Sequence, residues 1–261
     1  MNIQFNSQRV LVTGASKGIG LACALAFGRA GAMVVGVSRS EDNLRQAREQ
    51  CEAQGVVLHT LAADLTDAQA AERAVIEAEE RHGPIDVLIN SAGAARRYPP
   101  DELDVAAFQQ AMDAKYFTYL HVMQPVVRGM LERGRGNVVN IIGQGGRVAK
   151  PTHIPGGSAN AALMLATVGY ARAVAAKGVR INAINPGLTQ TTRVEEGLEA
   201  ASRATGRPPT ELLAEQLASI PMQRMAQPEE IANVALFLAS DFASYVSGAV
   251  IPMDGCAASV I

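Results

Sequence analysis

Short apolar runs and longer helical patterns alternate along the whole chain. Arg9-Val10-Leu11-Val12 is strand-like, and Leu21 to Ala30, rich in Ala and Leu and closed by Gly31, has a helical pattern. Met33 to Val37 reads as a second strand. Ser40 to Gln54 follows as a helix, with Ser40 as N-cap and Gly55 as stop. Val56 to Ala62 is a third strand, Asp67 to His82 a helix ended by Gly83-Pro84, and Ile85 to Ile89 a fourth strand. From Asp104 to Arg133 the chain predicts one long helix, with Leu103, Phe108, Met112, Tyr119 and Met123 inward and Pro125 as a kink. Asn137 to Ile142, Val179 to Ile184 and Ala249 to Pro252 complete the strands, and a helix from Pro155 to Lys177 separates the first two of these. Continuously apolar strands separated by helices predict a parallel sheet covered on both faces, doubly wound by right-handed crossovers. No linker interrupts residues 1–261, so one α/β domain is expected.

Between the first strand and the first helix lies Thr13-Gly14-Ala15-Ser16-Lys17-Gly18-Ile19-Gly20. A strand, a glycine turn and a helix present backbone N–H groups and a positive helix end to a phosphate. In a doubly wound sheet ligands sit at the carboxyl ends of the strands. Those ends carry Ser38-Arg39-Ser40, Ala63-Asp64-Leu65, Asn90-Ser91-Ala92-Gly93 and Asn185-Pro186-Gly187-Leu188-Thr189.

Composition narrows the classes. The 261 residues are 48% hydrophobic, enough for a large core, and a net charge of -2 offers nothing to nucleic acid or an acidic membrane surface. Trp is absent and aromatics are 4%, which disfavours base stacking. Cys23, Cys51 and Cys256 form no C-x-x-C pair, which fits a reducing cytoplasm. Met1 to Gln8 has no signal-peptide core, and no uninterrupted apolar run is long enough to cross a bilayer. No metal site is assigned.

The series TGASKGIG, ADL, NSAG, NPGLT and a terminal SG…MDG resembles the short-chain dehydrogenase/reductase family over nearly the whole chain. The resemblance implies a seven-stranded Rossmann sheet, a nicotinamide cofactor, a small-molecule substrate and a homo-oligomer, commonly a tetramer. It assigns cofactor contacts to Gly14, Ser16, Lys17, Gly18, Ile19, Gly20, Ser38, Arg39, Asp64, Leu65, Asn90, Ala92, Gly93, Pro186, Gly187 and Thr189. The end of strand two lacks the carboxylate that would hold a free ribose 2′-OH. Arg39 and Lys17 suit a 2′-phosphate, so NADP(H) is expected over NAD(H). Solvated surface charges are the plainer reading of both cations. Asp64 reads either as an adenine-end contact or as a cap ahead of Asp67.

The expected reaction centre departs from the family. Overlaying Gly156-Gly157-Ser158-Ala159-Asn160-Ala161-Ala162-Leu163 on the family's Y-x-x-S-K-A-A-L puts Gly156 at the Tyr position and Asn160 at the Lys position. Gly143 falls at the Ser position and Lys115 at the Asn position of the long helix. The Lys115/Asn160 exchange keeps an amine and an amide at the expected site, and His153 lies three residues before Gly156. Lys115, His153 and Asn160 are therefore the candidate catalytic residues. Gly143, Gly145, Gly146, Gly156 and Gly157 surround the place of the expected Ser and Tyr, which reads either as drift after loss of catalysis or as a roomier pocket whose N–H groups bond a substrate oxygen. Residues 189–221 read as two polar helices; the resemblance implies a substrate-side lid there, and an ordinary surface excursion is the alternative. These observations leave three readings open. The first is an NADP(H)-dependent carbonyl/alcohol oxidoreductase with a non-standard proton donor. The second is a cofactor-binding pseudoenzyme serving a partner. The third is a lyase or hydrolase on the same scaffold.

Overall fold

The structure is a computed structural model that describes residues 3–93 and 95–258. The outermost residues of the expected domain, 1–2 and 259–261, lie outside the described residues. Strand β1 (Arg9–Thr13) leads through the glycine turn into α1 (Gly18–Arg29), then β2 (Met33–Ser38), α2 (Glu41–Glu52), β3 (Leu58–Ala62), α3 (Ala68–His82) and β4 (Val87–Asn90). The second half runs α4 (Val105–Ala111), α5 (Thr118–Arg133), β5 (Gly136–Ile141), α6 (Ile154–Val174) and β6 (Val179–Pro186). It ends in α7 (Thr192–Thr205), α8 (Pro209–Ala218), α9 (Pro228–Ala239) and β7 (Val250–Met253). The strands form one parallel sheet in the order β3-β2-β1-β4-β5-β6-β7. The order reverses between β1 and β4, which opens a crevice at their carboxyl ends.

The two-residue period of β1 shows how the sheet is covered. Val10 and Val12 face α1 and α9 through Cys23, Phe27, Ile231 and Ala235, while Leu11 faces the other layer with Val75, Val122, Met123 and Ile181. Beside the apolar core runs a buried polar chain. Thr13 Oγ1 donates to Asn90 Oδ1 at 3.4 Å, Asn90 Nδ2 to Asn140 Oδ1 at 3.0 Å, and Asn140 Nδ2 to Thr167 Oγ1 at 3.0 Å. It ties β1, β4, β5 and α6 together at the level of the crevice.

The long helix expected from Asp104 to Arg133 is interrupted. Met112–Phe117 forms a π-turn between α4 and α5, in which the Thr118 N–H reaches back to the Asp113 carbonyl and Thr118 Oγ1 donates to the same oxygen at 2.9 Å. Pro125 instead lies inside a continuous α5. Of the expected inward residues, Tyr119 and Met123 are buried, and Leu103, Phe108 and Met112 are half-buried. Helix α9, whose Ile231, Ala232, Ala235 and Leu238 are buried, has a periodicity that the sequence reading passed over. One segment, Pro151–Lys177, is long and apolar enough in composition to span a bilayer. Its Ala159, Leu163, Thr167 and Ala171 are buried against the rest of the protein.

Candidate functional site

A cleft of about 760 Å³ runs along the carboxyl ends of the strands. At its nucleotide end Gly14 N donates to Val37 O at 2.7 Å, which folds the turn back over β2. A Cβ on Gly20 would collide with the Gly14 carbonyl. The first turn of α1 has no side-chain cap and no acidic residue, and Gly18, Ile19 and Gly20 line the cleft, so the start of this helix suits a phosphate. Ser16 and Ser38 join their hydroxyls at 3.0 Å. Next to them Lys17, Arg39, Arg96 and Arg193 line a side pocket of about 420 Å³. Arg193 alone of these has an ion-pair partner among the described residues, Glu196 at 3.0 Å.

Asp64 accepts from Thr66 N at 3.1 Å and Thr66 Oγ1 at 2.8 Å, closing its own turn, while Asp67 caps α3 through Gln69 N and Ala70 N. Asp64 still lines the cleft, as do Leu65, Ala92, Gly93, Pro186, Gly187 and Thr189. Asn90 does not line it: its side chain is fully buried and used by Thr13 and Asn140. Its place at a strand end cannot separate a ligand contact from a sheet tie.

At the other end the π-turn delivers Lys115. Gly93, at φ +93°, lets the loop after β4 run against this turn, because a Cβ there would strike the Ala114 carbonyl. Lys115 is 7% exposed, and its Nζ donates to Tyr119 Oη at 2.8 Å and to Ile141 O at 3.0 Å. Tyr119 Oη donates to the same carbonyl. Burial first, and Arg193 second, push the Lys115 amine down to about 7. Burial drives the Tyr119 hydroxyl far up, so it stays protonated. Tyr119 appeared from the sequence only as a core residue; its spacing of four from Lys115 was the available signal.

His153, Asn160, Gly143 and Gly156 line the same end as Lys115. The His153 ring lies over Gly156, where a Cβ would collide with it, and a Cβ on Gly145 would stand 2.8 Å from its Cδ2. His153 Nδ1 is buried without a hydrogen-bond partner. Burial first, then Arg97, Lys150 and Lys115, push this imidazole down to about 4, so it is neutral at physiological pH. Asn160 is buried, and its Nδ2 faces Gly143, 3.2 Å from the place of a Cβ. Gly143 itself has φ +131°, a conformation in which a serine would be strained, and its N–H goes to Asn185 Oδ1 at 3.4 Å. That amide is therefore not free for a substrate oxygen. Over the cleft lie α7 and α8, which contribute Arg193, Gly197, Leu198 and Gln216 to its lining.

A glycine-turn crevice on a sheet of this order defines a dinucleotide-binding α/β oxidoreductase scaffold. A profile of the family described as enoyl-(acyl carrier protein) reductase matches residues 14–256, and the chain belongs to the short-chain dehydrogenase/reductase family. It is 36% identical to gluconate 5-dehydrogenase of Gluconobacter oxydans over 247 residues, 95% of this chain and 93% of the relative. It is 35% identical to galactitol 2-dehydrogenase (L-tagatose-forming) of Cereibacter sphaeroides, over 94% and 92% of the two chains. Among solved structures, L-sorbose reductase from Gluconobacter frateurii, complexed with NADPH and L-sorbose, superposes with a TM-score of 0.91 over 100% of both chains at 27% identity.

Proposed function

We propose that this protein is an NADP(H)-dependent oxidoreductase of a carbonyl/alcohol pair, in which Lys115 exchanges the proton and His153 and Asn160 bind the reacting oxygen. The observation that carries the reading is the meeting of Lys115, His153 and Asn160 in one cleft whose opposite end is a glycine turn beside four cations. The nucleotide end fits the cofactor in two ways. Gly20 lets the glycine turn close on the start of α1, whose uncapped first turn lines the cleft. Among the described residues Lys17 and Arg39 have no ion-pair partner, and they line the pocket beside the Ser16–Ser38 bond, which suits a ribose 2′-phosphate. The relatives support a sugar-derived substrate, neutral or acidic, since their names include gluconate, galactitol and L-sorbose.

When bound, the cofactor supplies or accepts a hydride at the carbonyl carbon. In the reducing direction the protonated Lys115 gives a proton to the carbonyl oxygen and is left as the amine, which recovers a proton from water. In the oxidising direction the amine takes the hydroxyl proton. A pKa of about 7 suits either role near neutral pH. His153, held neutral, donates or accepts a hydrogen bond without exchanging charge. On this reading Gly143, Asn160, Gly156 and Lys115 stand in place of the family's Ser, Lys, Tyr and Asn.

Other elements of the reading follow from the surface. We take residues 189–221 as a cover over the substrate. We take the apolar residues exposed on α6 and the π-turn, Leu165, Val168 and Phe117, as contacts of a homo-oligomer, a dimer or a tetramer. The three free thiols suit a reducing cytoplasm. The test titrates NADPH and NADH by nicotinamide fluorescence, then assays ketoses and polyols with wild type and Lys115→Met. Binding of NADPH with a rate loss of roughly 10²–10⁴ in the variant supports the assignment. Binding without turnover on any substrate supports a non-catalytic cofactor carrier, and absence of binding sinks both.

A further inference from the structure

The reaction end of the cleft holds more positive charge than a carbonyl requires. Arg97, from the loop after β4, and Lys150, from the stretch before α6, both line it. Among the described residues neither side chain has a hydrogen bond or an ion pair, whereas the nearby Arg193 is matched with Glu196 at 3.0 Å. The Arg97 guanidinium rests on the bare backbone of α7: a Cβ on Gly197 would stand 3.0 Å from its Nε. Helix α7 therefore leaves space for this side chain at the wall of the cleft. His153 lies within the fields of Arg97, Lys150 and Lys115, and all four line the same cleft. Arg97 is held down by burial and by Arg193, with Glu196 only partly offsetting this, and Lys150 by burial and by Arg97. Unpaired like charges gathered in a partly dry cleft are costly, and an arriving anion relieves that cost.

We propose that Arg97 and Lys150 form a subsite for an oxyanion on the substrate, a carboxylate or phosphate. The planar guanidinium offers paired N–H donors to such a group, and Lys150 adds a point charge at the rim. The inference rests on the oxidoreductase reading and names its substrate class: an oxo or hydroxy acid, or a phosphorylated ketone, in preference to a neutral sugar. Its arrival also offsets the field on His153 and raises the proton affinity of that ring.

The test measures ligand binding by saturation-transfer NMR on protein with and without NADP+. Levulinate is compared with methyl propyl ketone, and dihydroxyacetone phosphate with dihydroxyacetone. In wild type at least one charged ligand binds roughly ten-fold tighter than its neutral counterpart. The advantage disappears in Arg97→Gln/Lys150→Gln and survives in part in Arg97→Lys, which keeps the charge. The pair that shows the larger ratio identifies carboxylate or phosphate. Equal affinities within both pairs in wild type, or an advantage that persists in the double variant, overturns the subsite. Failure of NADPH to bind in a separate fluorescence titration overturns the oxidoreductase reading instead, while the NMR ratios without NADP+ still report on Arg97 and Lys150.

Discussion

The His153 imidazole occupies the space into which a side chain at position 156 would project, so the ring and any larger residue at Gly156 exclude each other. Gly156→Tyr, which on the proposed overlay would supply the family's Tyr, is expected to displace the ring. The overpacking costs about 1–3 kcal/mol. The expected result is a lower melting temperature and less activity than wild type. A variant that gains activity would show that the wall has room for both.

Lys115 links stability to pH. Its pKa falls from 10.5 in a free lysine to about 7 in the folded chain, so between those values the unfolded state holds more protons. Stability contributed by this residue therefore rises with pH across that window, and the penalty is fully present below about 7. Lys115→Met is expected to be more stable than wild type below neutrality, with the difference shrinking as pH approaches 10.5. Urea denaturation at a series of pH values measures this, and a difference independent of pH would rule it out.

The same amine sets a limb of the rate profile. If the proposed mechanism holds, reduction uses protonated Lys115, so its rate is expected to fall as pH rises through about 7, while oxidation gains over the same interval. The limb is absent in Lys115→Met, whatever activity remains.

Arg39 is expected to discriminate between cofactors. Arg39→Ala removes a charge-assisted contact to a 2′-phosphate and weakens NADPH by roughly 10–100-fold. NADH, which has no such phosphate, is affected far less. Equal losses in parallel fluorescence titrations would refute the cofactor preference.

Much of the frame was legible in the sequence because burial on both faces makes each strand a continuous apolar run, and Gly31, Gly55 and Gly83-Pro84 mark helix ends. The π-turn was not, because Met112 to Phe117 continue the helical pattern and only hydrogen bonding one residue longer distinguishes them. Within the site, the overlay of flanking residues pointed to Lys115, and His153 was noted for its place before Gly156; both line the cleft. Arg97 and Lys150 were missed because residues more than fifty apart in sequence meet only through the order of strands β4 and β5. Asn90 shows the opposite case. Its place at a strand end pointed to a ligand, and its partner is Asn140 on the neighbouring strand.

That partnership gives a stability prediction. Asn140→Ala leaves Asn90 Nδ2 and Thr167 without their acceptor and donor inside the protein, at a cost of about 1–3 kcal/mol. A thermal melt unchanged from wild type would show that the buried chain is dispensable.

The π-turn makes the position of Lys115 a matter of chain length as well as chemistry. An α-helix turns by about 100° per residue, so deleting Tyr116 or Phe117 would rotate Lys115 and α4 against α5 without altering any side chain on α5. Lys115 would swing away from Tyr119 and Ile141, and the cleft would lose its amine through a change of count alone. A relative could thus carry the same residues in the same order and still lack this site.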